Sequence, residues 1–280
     1  MSDSSRREEV LAGLEPLYFL DYALFTGAVR HYASITLEGV FKADRSPLRR
    51  RLHFVNLLKE EYAAYEDVGA FLDSLLAYRS GTVSIPLTKL LDYRPKDVRL
   101  SEVFSRYAVS SGQGLFDILM LEEWVPDDWP RWFPHLDLRK SLRLACSFFY
   151  EDCARNQKKY GVVAYNKIKH GLLVVPSGKL YVPELPDAPA VLFPTDATLQ
   201  QANINPVTVY GFQCDDSQIE ERHKAIEFVQ CNLRALAALY VMWRYPRSLA
   251  ARGIADPKGL FERDELADVR HLIGEVTAKK

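Results

Sequence analysis

The stretch that decides the fold is 216-DSQIEERHKAIEFVQCNLRALAALYVMW-243. Ile219 and Ile226 stand seven apart, and Val229, Leu233, Leu236/Ala237, Tyr240 and Trp243 follow at steps of three or four. That spacing lays the apolar side chains along one face of a helix. Working backwards, the same rule governs Phe54, Leu58, Tyr62, Tyr65, Val68, Leu72 and Leu75/Leu76, with Lys59, Glu60, Asp67 and Asp73 on other faces. Ser80-Gly81 ends this second helix, as glycine commonly does just past a helix terminus. A third helical run extends from Glu15 to about Phe41, with Pro16 at its start, where a missing N–H costs nothing. Lys42–Arg51 reads as a basic linker carrying Pro47 and Arg49-Arg50-Arg51. Asp137 is placed to cap a further helix to about Lys159, with Leu138, Leu142, Ala145, Phe149 and Cys153 as its apolar positions.

Between these helices the pattern weakens. Residues 82–100 read as a connection with a short helix between Pro86 and Pro95. Residues 101–121 hold another helix, interrupted by Ser110-Ser111-Gly112-Gln113-Gly114, and residues 122–136 form an aromatic loop. After Gly171 the spacing changes. Leu172–Val175, the turn Pro176-Ser177-Gly178, and Leu180–Val182 read as strand, turn and strand. Ala190–Phe193 and Val207–Tyr210 add two more candidates, and the prolines from Pro176 to Pro206 exclude a long helix there. The predicted fold class is therefore mainly α: a helical bundle with a small β insertion, at about 172–211, before the last long helix. The expected organisation is an N-terminal helix and basic linker over 1–53, the bundle over 54–245, and a polar C-terminal tail over 246–280 with a short helix near 263–273.

With 280 residues, 48% hydrophobic and 26% charged, the chain has the proportions of an ordinary globular protein and can bury a core without disulfide or metal staples. Lys plus Arg is 36 and Asp plus Glu 37, which argues against wholesale coating of nucleic acid. The first residues show no apolar signal region. The run Ala235–Trp243, bounded by Arg234 and Arg244, is far short of a bilayer span of roughly 20 residues. Cys146, Cys153, Cys214 and Cys231 form no CxxC pair and read as buried, reduced thiols. These features point to the cytoplasm and to no membrane partner.

Most signatures of chemistry are missing: no GxGxxG, P-loop or GxSxG occurs, and Ser111–Gly114 reads as a loop rather than a phosphate cradle. Glu220 and His223 form one Glu-x-x-His, but a di-metal bundle needs two; a surface-charge reading is favoured, and no metal site or cofactor is expected. His135 and Asp137 read as a helix cap with a neighbouring ring. Arg49–Arg51 read as a solvated linker before a phosphate site. Trp124, Trp129 and Trp132 can stack bases, although packing against helices is the favoured reading.

The segment from Ala154 to Gly171 is different. It holds Arg155, Lys158, Lys159, Lys167 and Lys169 and no acid, a local cationic field in a chain of balanced charge. Within it, Tyr165-Asn166-Lys167-Ile168-Lys169-His170 sets Asn166 and His170 four apart, on one face of a helical turn. Imidazole can take and return a proton near neutral pH, and the lysines can hold a phosphate. Those are the needs of a metal-free attack by a ribose hydroxyl on its neighbouring phosphate. The simpler reading is a helix end: His170 meeting the dipole, Gly171 supplying the cap.

This segment resembles the HEPN superfamily of helical bundles, many of whose members are ribonucleases in RNA processing or anti-phage defence and others non-catalytic. Its signature is an arginine, often followed by a polar residue such as asparagine, with a histidine a few residues later, at the junction before the last bundle helix. Asn166 and His170 match; the arginine position holds Tyr165. The resemblance implies His170 as general acid/base, Asn166 orienting phosphate or ribose, and Lys167, Lys169, Arg155, Lys158 and Lys159 binding RNA phosphates. It also implies RNA as partner and a homodimer. The competing expectation is a non-catalytic helical module that binds a partner protein.

Overall fold

The structure, a computed structural model, describes residues 3–93, 99–156, 174–176, 189–191, 208–212 and 216–278. They are mainly α-helical. The long helices are α1 (Asp3–Leu24), α2 (Val29–Ala43) and α3 (Pro47–Arg79). Short ones follow: α4 (Pro86–Leu91), α5 (Leu100–Arg106), α6 (Gly112–Ile118), α7 (Leu121–Trp124) and α8 (Trp129–Trp132). Next come α9 (Leu138–Phe148), a π turn over Phe149–Cys153, and α10 (Ala154–Asn156). The C-terminal part holds α11 (Asp216–Arg244), α12 (Pro246–Ala250), α13 (Pro257–Phe261) and α14 (Ala267–Ala278).

The strongest sequence patterns became helices, and two of the expected ends are found, while the helix expected to run to about Lys159 gives way to a π turn after Phe148. Asp137 caps α9, its carboxylate accepting from Lys140 N at 2.9 Å. Gly81 follows α3 with φ +74°, the left-handed conformation that favours glycine. Other expectations need correction. The single helix expected from Glu15 to Phe41 is two, and Pro16 lies inside α1 rather than at its start. Leu11, buried with Ile85 and Leu87, holds the turns before Pro16 in helical form. The basic linker shrinks to three residues, because α3 already begins at Pro47. The aromatic loop contains two single-turn helices. The expected polar tail carries α12, α13 and α14, with Leu249, Leu260, Phe261, Val269 and Ile273 buried. Its short amphipathic turns were hidden by the charged residues between them.

Between α10 and α11 the described residues are three short strands: β1 (Val174–Pro176), β2 (Pro189–Val191) and β3 (Thr208–Phe212). Their order is β1-β3-β2, with β1 parallel and β2 antiparallel to β3. Two of the three have only three residues, at the bottom of the normal range. The described residues do not support an inserted β unit, and the rest of 172–211 lies outside them.

The chain divides into two compact units, Met1–His31, Ala64–Gln157 and Glu227–Lys280 forming the first, Tyr32–Ala63 and Lys158–Ile226 the second. The first has an aromatic core. Phe19 meets Tyr240 at 4.7 Å and Phe71 at 5.6 Å between ring centroids, and Trp124 meets Tyr240 at 5.5 Å. In the second, Phe41, Phe54, Leu57, Leu58, Ile219 and Ile226 form a fully buried cluster. Arg222 donates to Glu61 at 2.7 Å beside that cluster.

Candidate functional site

Of the residues assigned to RNA, Arg155 lies among the described residues. It is exposed, in the helical turn α10. The approach to it is the π turn, which buries Phe149 and Cys153 and sets Tyr150 against Phe104 at 5.2 Å. One extra residue per turn rotates the following side chains relative to α9, and such turns are frequent at functional sites. Lys158, Lys159, Tyr165, Asn166, Lys167, Lys169 and His170 lie outside the described residues.

The competing sequence candidates are resolved by their partners. Glu220 is exposed and paired with Lys224, as a surface charge should be. His223 departs from that reading: its side chain is 14% exposed and its Nδ1 lies 2.8 Å from Ser34 Oγ. Ser34 and Glu38 on α2 supply polar partners that a helical wheel of α11 alone does not reveal. Ser111 caps α6 by accepting from Gly114 N at 2.9 Å, so the Ser-Gly-Gln-Gly stretch is a helix start. His135 is exposed beside the Asp137 cap. Arg49 pairs with Asp44 and Arg50 with Asp216, so both are engaged by carboxylates. Trp124 and Trp129 are 1% and 2% exposed, which removes them as base-stacking platforms; Trp129 instead packs on Phe133 and Phe261. Cys146, Cys153 and Cys231 are buried free thiols, and burial pushes the Cys146 and Cys231 thiols up, away from reactive thiolate. Cys214 lies outside the described residues.

Sequence reasoning missed a polar centre in the first unit. Arg234, on α11, is fully buried. Its Nε donates to Ala23 O at 2.8 Å, and its terminal nitrogens donate to Glu265 O and Asp268 Oδ2. Gly27 makes room: a Cβ there would lie 2.7 Å from Arg234 Cγ. His31 Nδ1 lies 3.3 Å from the same Asp268 oxygen, and its Nε2 lies 3.6 Å from Glu227. Beside this group, Arg30 donates to Asp67 at 2.6 Å and Gln230 donates to the same oxygen at 3.3 Å. Burial opposes ionisation of Asp268, but the His31 contact and Arg234 charge outweigh it and hold its carboxyl down to about 2. Burial wins at Asp67, whose carboxyl is raised despite Arg30.

His31, Cys231 and Asp268 bring ligand atoms within 4.8 Å of one another, a set with mixed donors for a transition metal. The donor chemistry does not fit. Asp268 Oδ2 is already shared by the Arg234 guanidinium and His31. A divalent cation would sit against a buried guanidinium with nowhere to move. The centre is an ion-pair clamp joining α11, the α1–α2 junction and the start of α14. It also commits Arg234 fully. A sequence signal existed: an arginine inside the apolar run Leu233–Trp243 requires a buried carboxylate partner.

Compared with known proteins, the chain matches no family model, no curated protein and no solved structure.

Proposed function

We propose that this chain is an HEPN-like, RNA-directed helical protein acting in stress or antiviral defence, and that Arg155–His170 is its RNA-contacting segment. The observation that carries the reading is the composition and place of that run. It holds five lysines and arginines and no acid, and it lies in sequence between the helical stretch ending at Asn156 and the long helix beginning at Asp216. Arg155, exposed after the π turn, marks its near end.

In this reading His170 removes the proton from a ribose 2′-hydroxyl, which attacks the adjacent phosphorus. The bond to the 5′-oxygen breaks, and imidazolium returns a proton to that leaving group. The products are a 2′,3′-cyclic phosphate and a 5′-hydroxyl. Asn166 orients the phosphate, while Lys167, Lys169, Arg155, Lys158 and Lys159 offset its charge. The chemistry proposed uses neither metal nor cofactor. The segment 172–211 is proposed as a small β element beside the run, the working form as a homodimer, and the compartment as the cytoplasm.

The test is wild type against His170→Ala on total cellular RNA, with and without EDTA. Cleavage by wild type that survives EDTA, leaves cyclic-phosphate ends and falls roughly 10²–10⁴-fold in His170→Ala supports the enzyme. RNA binding without cleavage, weakened by Lys167→Ala with Lys169→Ala and flattened in its salt dependence, supports a non-catalytic RNA-directed form. Neither binding nor cleavage sinks both. Sedimentation of wild type tests the dimer.

One observation favours a second reading, a non-catalytic protein-interaction module. Val10, Leu14, Leu17 and Tyr18 on α1 are 55%, 48%, 41% and 38% exposed, an apolar stripe at helical spacing. Tyr165, standing where the resemblance has arginine, points the same way. Pull-downs comparing wild type with Leu14→Glu/Leu17→Glu distinguish it: a partner lost only in the double variant favours the module.

A further inference from the structure

Within the first unit, a half-open cavity of about 280 Å³ is formed by the end of α7, the C-terminal turns of α11 and the segment from α12 to the start of α13. That volume is at the small end for ligand pockets, and it suits a compact molecule. Trp124, Trp243, Leu249 and Ile254 contribute apolar wall. The two indoles are stacked, with centroids 5.8 Å apart and planes at 25°. Glu123, Asp128 and Asp256 also line the cavity, all three exposed, and among the described residues no lysine, arginine or histidine does.

Two further observations show what these walls attract. The Arg79 guanidinium lies 4.6 Å from the Trp243 ring centroid and 5.5 Å from that of Trp124, so the protein already rests one cation on this indole pair. Arg79 also lies 3.9 Å from Glu123, one of the three lining carboxylates.

We infer that this cavity binds a small organic ammonium cation with an apolar body, held by the half-buried Trp243 ring, which Trp124 backs from behind, and by the negative charge of Glu123, Asp128 and Asp256. An anion is disfavoured by the three carboxylates. A strongly hydrated metal ion gains little from indole walls. A methylated ammonium group satisfies both features, because its charge is spread over an apolar surface that aromatic rings contact directly.

The probe is choline, compared with its neutral isostere in which the quaternary nitrogen is replaced by carbon. Binding is followed by tryptophan fluorescence and by saturation-transfer NMR on the full chain. Choline is expected to bind saturably, with the isostere weaker by roughly 2–30-fold. Glu123→Gln with Asp128→Asn and Asp256→Asn should weaken choline and leave the isostere unchanged. Asparagine at 256 keeps the cap that Asp256 gives Gly259 N, so the triple variant keeps its fold. Trp243→Leu should weaken choline more than the isostere. No saturable choline binding overturns the inference, as does equal affinity for the isostere or a triple variant that binds choline like wild type.

Discussion

Glu15 and Tyr240 stand 225 residues apart in sequence and meet at 2.6 Å in the core of the first unit. The Glu15 carboxylate is fully buried and accepts three hydrogen bonds: from Tyr240 OH, from Tyr245 OH at 2.7 Å, and from Leu87 N at 2.9 Å. The last reaches the open N-terminal turn of α4, whose flanking Ile85 offers no side-chain cap. One side chain therefore fixes α1 to α4 and to the end of α11. Burial first, and then the charge of Glu15 and the hydrogen bond to it, raise both phenols, which keeps them as donors.

Glu15→Ala should destabilise by about 3–5 kcal/mol, because it strands the buried Tyr240 hydroxyl, the half-buried Tyr245 hydroxyl and a backbone N–H. Tyr240→Phe, which removes one donor and leaves the carboxylate two others, should cost about 1–3 kcal/mol. Urea unfolding of the two variants checks the ranking. Equal costs would mean that the carboxylate is not the hub.

Arg234 and Asp268 give a sharper test, since the guanidinium is fully buried. Asp268→Ala leaves that charge without its carboxylate and should cost about 3–5 kcal/mol. Arg234→Met with Asp268→Leu removes both charges and should cost less than the single change, because a well-packed apolar pair often equals a buried ion pair. Chemical denaturation of the single and double variants decides. A double variant less stable than Asp268→Ala would show that the charges themselves are favourable.

The same carboxylate makes acid stability predictable in sign. Its folded value, about 2, lies below the ordinary 3.8, so its contribution is present above 3.8 and is lost as pH falls toward 2. Asp67 works in the opposite sense, since its raised value contributes at low pH and fades as pH rises through it. Melting temperature should therefore fall between pH 4 and 2 in wild type, and Asp268→Asn should flatten that fall. Parallel curves would remove Asp268 from the acid response.

These centres show where sequence was readable and where it was not. Periodicity located α3 and α11 because their apolar residues recur over many turns. Local chemistry located the Asp137 cap and the end of α3 at Gly81, which depend on neighbours within four residues. The break near Gly27 was not legible, because it depends on Arg234 arriving from α11. Pro16 misled for a similar reason: a distant apolar contact at Leu11 keeps the helix going before it. Glu15 carries no local sign of its role, because its donors, Tyr240 and Tyr245, lie 225 and 230 residues away along the chain. The basic run near His170 was legible as composition; its geometry lies outside the described residues.

Glycines test the packing with opposite signs. At Gly112, the first residue of α6, an added Cβ would collide with the Cα, N and Oγ of Ser147 on α9. Backbone cannot yield as a flexible side chain does, so α6 and α9 must part. Gly112→Ala should cost about 1–3 kcal/mol, in the range of overpacked cores. Gly13 in α1 and Gly39 in α2 are also helical, but nothing lies within 4 Å of the added atom at either. There alanine only reduces the freedom of the unfolded chain and improves helix propensity, so Gly13→Ala and Gly39→Ala should each stabilise by about 0.5–1 kcal/mol. Thermal melts of the three variants give the answer by sign alone. A Gly112→Ala protein as stable as wild type would mean that α6 does not pack on α9 at this distance. Destabilisation by Gly13→Ala would mean that the α1 face around it is covered by something outside the described residues.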